Sequence, residues 1–356
     1  MVGTSTFPAA SRTHLSRPEQ VRLTTPPPTR TVGPPPGVGG GGFSRGWWDN
    51  PGVNESEGTV EFRGWRTWYR VTGSLDPSSP LAPIVLLHGG PGATHDYLDA
   101  MRGLAGSGRA VVQYDQLGNG RSTHLRDRGA DFWTVGLFCD ELHNLLAGLG
   151  LAGDGAAGRG YHLLGQSWGG CLALEHALRQ PPGLRSLVLA DTLSSVPDFA
   201  AECQRLLAGL PPDVQATIRR HEEAGTTADP AYVEACMVFY KRHVCRLDTW
   251  PDEVLRSFQA IDDDPTVYGT MNGPSEFTVI GTIRDWQVTE RLGEIRVPTL
   301  IVSGRHDETT PRLQETLRDG IAGSEWVCFE DSSHMPHLEE PERWLETVGA
   351  FLGRAD

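Results

Sequence analysis

Tyr161-His162-Leu163-Leu164-Gly165-Gln166-Ser167-Trp168-Gly169-Gly170-Cys171-Leu172-Ala173-Leu174 decides the reading of this chain. Tyr161 to Leu164 reads as a strand, Gly165 to Gly169 as a tight G-x-S-x-G turn, and the residues from Gly170 as the start of a helix. The pentapeptide alone is a weak signal in a chain with 43 glycines. Its setting strengthens it, because strand, turn and helix in direct succession are what a nucleophile elbow requires. Such a turn is strained, small residues flank it, and the serine is lifted above the sheet.

Outward from this stretch, apolar strands alternate with helical patterns. Thr59 to Arg63 and Arg66 to Val71 alternate apolar and polar residues around Gly64, which predicts an antiparallel hairpin. Pro83 to Leu87 is an apolar strand, followed by a Gly-Pro-Gly loop and a helix from about His95 to Leu104. Ala110 to Tyr114 is another strand. Val135, Phe138, Cys139, Leu142, Leu145, Leu146 and Leu149 lie on one face of a long helix. Leu184 to Ala190, Pro298 to Ser303 and Trp326 to Phe329 complete the strands. Continuous apolar strands alternating with helices predict a mostly parallel, eight-stranded α/β sheet covered on both faces.

The long gap between Ala190 and Pro298 is helical in pattern. Tyr232, Cys236, Phe239 and His243 recur at helical spacing, and Pro211, Pro230 and Pro251 mark helix starts. The expected organisation is a Pro/Gly-rich, disordered arm at 1–55 and a first core segment at 56–194. A helical cap follows at 195–280, and a second core segment at 281–356. The cap is expected above the C-terminal edge of the sheet, where ligands bind in open α/β folds. The arm carries Pro26-Pro27-Pro28, Pro34-Pro35-Pro36 and Gly39 to Gly42 with few aliphatic residues, too little apolar surface to offset its ordering entropy.

Composition narrows the classes of function. The 356 residues carry 31 basic and 45 acidic side chains, a formal charge of −14, which disfavours nucleic acid and anionic membrane as partners. No apolar run approaches the roughly 20 residues of a membrane span, and no basic-then-apolar leader opens the chain, so a cytoplasmic location is expected. Six cysteines are scattered without a C-x-x-C pair, so buried free thiols are expected rather than disulfides or zinc.

A serine hydroxyl needs a base to take its proton, and the base needs an orienting acid. After a nucleophile elbow these follow in the order acid, then histidine, at strand ends. Gly304-Arg305-His306-Asp307 ends one late strand and Glu330-Asp331-Ser332-Ser333-His334 ends the other. Ser167, Asp307 and His334 are therefore the expected triad, with His337 and His306 as competing bases. His334 with His337 lacks a convincingly spaced third metal ligand, and the chemistry calls for no metal or organic cofactor. His88-Gly89-Gly90-Pro91-Gly92 follows a strand where an oxyanion loop belongs, so the Gly90 and Trp168 N–H groups are the expected oxyanion donors. Gln113 to Ser122 reads as a supporting loop, with Asp115 a buried hydrogen-bonding residue.

Taken together, His88 to Gly92, Asp115 to Ser122, Gly165 to Gly170, Met271-Asn272-Gly273-Pro274-Ser275-Glu276-Phe277 and Gly281-Thr282-Ile283-Arg284-Asp285-Trp286 resemble the proline iminopeptidase family of α/β-hydrolases. The likeness includes the amino-acid amidase and tricorn-interacting aminopeptidase branch, and it covers roughly residues 57 to 353. It implies removal of an N-terminal residue, often proline, or hydrolysis of small amino-acid amides, through an acyl-enzyme. It also implies that two glutamates, matching Glu276 and Glu308 here, hold the substrate's free ammonium by charge-assisted hydrogen bonds. The partner so implied is a small peptide or amino-acid amide with a free amine; oligomeric state is not legible.

Two other readings stand beside this one. An esterase, thioesterase or acyltransferase of the same fold, serving a secondary-metabolite pathway, would share the triad and differ in indifference to the amine. A binding protein on a hydrolase scaffold would fail to react at Ser167. Dehalogenase and epoxide hydrolase chemistry is disfavoured because it uses an aspartate at the position of Ser167.

Overall fold

The computed structural model describes residues 54–152 and 160–356; most of the expected arm lies outside the described residues. Among them, eight strands form one sheet in the order β1-β2-β4-β3-β5-β6-β7-β8. Their ranges are β1 Glu55–Phe62, β2 Trp65–Thr72, β3 Ile84–Leu87, β4 Val111–Tyr114, β5 Tyr161–Gln166, β6 Leu184–Ala190, β7 Thr299–Gly304 and β8 Glu325–Phe329. β1 and β2 form the antiparallel hairpin, turned at Arg63 and Gly64, both with positive φ, as a two-residue hairpin turn demands. β2 also pairs antiparallel with β4, and the remaining pairs are parallel. The hairpin starts four residues before the Thr59 at which the sequence pattern begins, since Glu55 still pairs with Thr72.

Alternate residues of the central strands feed two apolar layers. Val85, Leu87, Leu163, Leu187, Leu189 and Ile301 face one side; Ile84, Leu86, Leu164, Val188, Leu300 and Val302 face the other. Each fully buried leucine or valine contributes about 1.5–3 kcal/mol. Burial on both faces is why these strands read as unbroken apolar runs.

The first layer is covered by α1 (Val135–Gly148) and α2 (Trp168–Leu178). The helical segment between β6 and β7 comprises α3 (Val196–Leu207), α4 (Pro212–Ala224), α5 (Pro230–His243), α6 (Asp252–Asp263) and α7 (Thr266–Met271). Residues 272–288 are turns and isolated bridges rather than helix. After β7 come α8 (Pro311–Gly320), α9 (Pro336–Glu339) and α10 (Pro341–Ala355). The second layer is covered by α10, through Trp344, Val348, Phe351 and Leu352, and by Asp96–Ser107. That last segment winds as a 3-10 rather than an α-helix.

From β3 the chain steps to one neighbour, β4, and then returns to the other side as β5. Strand order thus reverses between β3 and β5, and a crevice opens beyond their C-terminal ends. Both the His88 loop and Ser167 emerge there. No helix among the described residues is long and apolar enough to cross a membrane.

Candidate active site

Ser167 sits between β5 and α2 with φ 56° and ψ −125°, a strained conformation for a residue with a side chain. The surroundings fix it from several directions. Its N–H donates to Ala190 O (3.0 Å), and its carbonyl accepts from Gly170 N (2.8 Å) and Thr192 Oγ1 (2.7 Å). A Cβ on Gly169 would strike the Leu87 carbonyl, so only glycine lets α2 start this close to β3.

The loop after β3 is tied to the same turn. Tyr97 Oη accepts from Gly89 N (2.7 Å) and donates to Gln166 Oε1 (2.6 Å), while Gln166 Nε2 donates to the His334 carbonyl (3.0 Å). One phenol and one amide thereby link the loops after β3, β5 and β8. Gln116 makes a second brace: its N donates to His88 Nε2 (3.0 Å), its Nε2 donates to His88 O (2.8 Å), and its Oε1 accepts from Trp168 Nε1 (3.0 Å). Burial holds His88 neutral, down to about 4, and its Nδ1 donates to Gly89 O (3.0 Å). Gly90 and Trp168 both line the space over Ser167, and among the described residues neither backbone N–H donates to another backbone group. Two free amide donors on either side of a hydroxyl can receive a developing oxyanion.

Asp307 and His334 follow β7 and β8 and are both buried. His334 Nδ1 donates to Asp307 Oδ1 (2.7 Å), which also accepts from Thr309 N (2.9 Å); Asp307 Oδ2 accepts from Thr309 Oγ1 (2.5 Å). The two loops are zipped by Arg305 N to Phe329 O (2.8 Å) and His306 N to Ser332 O (3.0 Å). Burial works against the imidazolium, but the charge and hydrogen bond of Asp307, with Glu308 and Glu276, outweigh it and push His334 up to about 9. Neither competing histidine has these contacts. His337 is buried with its Nε2 donating to Tyr97 O (3.0 Å), and burial holds it down at about 3. The main chain of His306 is tied into the loop, its carbonyl accepting from His243 Nδ1 (2.9 Å).

Glu276 stands on the turn after α7, shaped by Asn272 Nδ2 donating to Ser275 O (2.9 Å). Tyr268 Oη donates to its Oε1 (2.7 Å), and its N–H donates to Tyr240 Oη (3.4 Å). Burial raises its carboxyl, opposed by the Tyr268 bond and the His334 charge. Glu308 is 1% exposed, with Oε1 3.8 Å from His334 Nε2. Its Oε2 is buried without a partner. Burial pushes this carboxyl well above its ordinary value, countered by His334 and reinforced by Glu276 and Asp307.

Two cavities meet over the serine, sharing Gly90, Ser167 and Glu276. One, of about 420 Å³, runs past His334 to Tyr97, Phe258, Ile261 and Met335. The other, of about 350 Å³, runs past Trp168 to Leu193, Phe199, Val279 and Ile283. Among the described residues, no arginine or lysine lines either.

Sequence reasoning missed the Tyr97–Gln166 link and Asp191. The latter follows β6 with a left-handed φ of 49° and is fully buried. Its Oδ1 accepts from Gly304 N (3.2 Å), and its carboxyl faces that of Asp307; burial and the Asp307 charge push it well above the usual range. Its Oδ2 is buried without a partner, and burial beside a second acid favours the protonated form of Asp191. Only its position at the end of a buried strand could have signalled it.

A family model described as the alpha/beta hydrolase fold matches residues 82–341. Curated relatives include the proline iminopeptidase of Saccharolobus solfataricus, 40% identical over 84% of this chain and 93% of that protein. That of Lactobacillus crispatus is 38% identical over 84% and 99%. Among solved structures, that of VinJ superposes with a TM-score of 0.81 at 53% identity, covering 85% of this chain and 99% of the other. The proline iminopeptidase of Mycobacterium smegmatis gives 0.77 at 42% identity, covering 84% and 98%.

Proposed function

The chain belongs to the α/β-hydrolase family and, within it, to the proline iminopeptidase family; from that membership we propose how this hydrolase selects and cuts its substrate. It acts on the amide bond that follows a free N-terminal residue, proline or another small apolar residue, in a short peptide or an amino-acid amide. His334 Nε2 takes the Ser167 proton as Oγ attacks the carbonyl carbon. The oxyanion lies between the N–H groups of Gly90 and Trp168. The imidazolium, steadied by Asp307, then protonates the departing amine as the C–N bond breaks. Water, deprotonated by the same imidazole, cleaves the acyl-enzyme and frees the N-terminal residue.

Glu276 and Glu308 hold the substrate's ammonium. The observation that carries this reading is the pair of glutamates beside His334, Glu276 lining the cleft and Glu308 buried 3.8 Å from His334 Nε2, with no lysine or arginine among the described residues that line the cleft. Asp307, Glu308 and Glu276 share the one imidazolium of His334; a buried acid without a cationic partner of its own is costly, and an incoming ammonium relieves that cost. Anchoring the amine places the first carbonyl over Ser167, which limits cleavage to the first residue.

A panel of aminoacyl-β-naphthylamides and free amino-acid amides, prolyl ones included, tests this. Cleavage of one or more free-amine substrates, with loss of cleavage on N-acetylation, is expected. Equal rates for the acetylated and free forms would remove the glutamates from the mechanism.

A further inference from the structure

His334 poses a difficulty that its geometry also resolves. Nε2 is the nitrogen that must accept the Ser167 proton, yet Glu308 Oε1 stands 3.8 Å from it and the second Glu308 oxygen is buried with no partner. Among the described residues the only cation within reach of Glu308 is the imidazolium itself. A base that pairs through its working nitrogen is a base already protonated. With His334 held at about 9, only about 1% of it is neutral at pH 7.

We propose that the substrate's ammonium is also the activator: by binding between Glu276 and Glu308 it replaces the imidazolium as the partner of Glu308, so that Nε2 releases its proton to water and becomes able to deprotonate Ser167. One cation enters the pocket and one proton leaves, so the charge balance is kept. This inference rests on the assignment of the two glutamates to the ammonium.

The surrounding groups are consistent with such an exchange. Facing His334 are Asp307 and Glu308 from the loop after β7, Glu276 from the turn after α7, and His337 from its own segment. Facing Glu308 are His334, Glu276 and Asp307, the phenols of Tyr240 on α5 and Tyr268 on α7, and the Cys203 thiol on α3. Burial pushes all three of these last groups up, so they stay neutral. Asp307 keeps its bond to Nδ1 throughout, and Nε2 alone changes partner. If ammonium binding returns His334 towards its ordinary 6.5, the neutral fraction at pH 7 rises about fiftyfold or more. A substrate without a charged amine therefore loses twice, once in binding and once because the base stays protonated.

The test uses the full-length protein and a probe that needs no amine, the rate at which a fluorophosphonate labels Ser167 as a function of pH. It is run with and without saturating pyrrolidinium chloride at matched ionic strength. The acid limb of labelling is expected near pH 9 in the free protein and more than one pH unit lower with pyrrolidinium. Simple obstruction by the ligand would lower the plateau and leave the limb in place. Glu308→Gln is expected to show the lower limb with or without pyrrolidinium. A free-protein limb already near pH 6.5 overturns the proposal. So does pyrrolidinium that competes with prolyl-β-naphthylamide hydrolysis yet leaves the limb unmoved, although the glutamate assignment then survives. If prolyl-β-naphthylamide is hydrolysed but pyrrolidinium neither competes nor moves the limb, both assignment and coupling fall.

Discussion

Below the cleft, Ser167, Asp307 and His334 sit on strand ends whose main chains are bonded to one another. Ser167 N reaches Ala190 O, Arg305 N reaches Phe329 O and His306 N reaches Ser332 O. Above it, Glu276 hangs from a turn and is oriented by two phenols, Tyr268 and Tyr240, while apolar side chains such as Phe199, Phe258 and Ile283 line the walls. The floor is set by backbone geometry that few substitutions can shift. The roof is set by side chains that can be exchanged without touching the sheet. On the proposed function, the reaction is kept in the floor and the choice of substrate in the roof. Glu308 belongs to both, since it follows Asp307 in the floor and faces Glu276 in the roof.

The sharpest break of this contrast is Ser167→Ala. It should lower kcat by about a millionfold while the melting temperature stays near that of the wild type, read by prolyl-β-naphthylamide hydrolysis and thermal denaturation; retained turnover would take the reaction out of the floor. Next, Glu276→Gln should cut kcat/KM for free-amine substrates by about 10²- to 10³-fold, in line with about 3–4 kcal/mol for a buried charge-assisted contact. It should leave the hydrolysis of a small uncharged ester such as p-nitrophenyl acetate within about threefold. An equal loss on both would make Glu276 part of the floor.

Two smaller effects sharpen the picture. Asp191 is raised above its unfolded value, so its contribution to stability is complete below about pH 4 and is lost as the pH climbs through the folded value. Asp191→Asn keeps an acceptor for Gly304 N and cannot ionise. Its melting temperature should therefore gain on the wild type by a few degrees between pH 5 and pH 9; parallel curves would mean that Asp191 does not carry the proton. Tyr268→Phe removes one hydrogen bond to Glu276, worth about 1 kcal/mol. It should raise KM for free-amine substrates about fivefold with kcat little changed in steady-state assays.

The floor was largely legible in the sequence and the roof was not, for a physical reason. Strands buried on both faces must be apolar throughout, and loops that leave them in sharp turns need glycine, so β3, β5, β6 and β7 and the loops at Gly90, Ser167 and Asp307 stand out against the rest of the chain. Their order in sequence is also their order at the sheet edge. What joins them is not local. Tyr97 meets Gln166 across 69 positions and Gln166 meets the His334 carbonyl across 168, and no spacing rule anticipates such contacts. The same holds for Asp191, whose partner lies on the next strand. In the roof, proline-marked helix starts and the helical spacing of Tyr232, Cys236 and Phe239 on α5 were readable, but the turn carrying Glu276 was assigned from a family resemblance, not from pattern. Which of three histidines meets Asp307 depended on how the loop after β8 folds back, a matter of long-reach bonds to its main chain such as Ser333 N donating to the Glu339 side-chain Oε2 (2.7 Å).

The most direct test of anchoring by the ammonium is one ratio, kcat/KM for prolyl-β-naphthylamide over that for its N-acetyl derivative, measured in the wild type and in Glu276→Gln/Glu308→Gln. A wild-type ratio above about 10³ that collapses towards one in the double variant is the expected result. A wild-type ratio near one, or a large ratio that the double variant leaves intact, would contradict it.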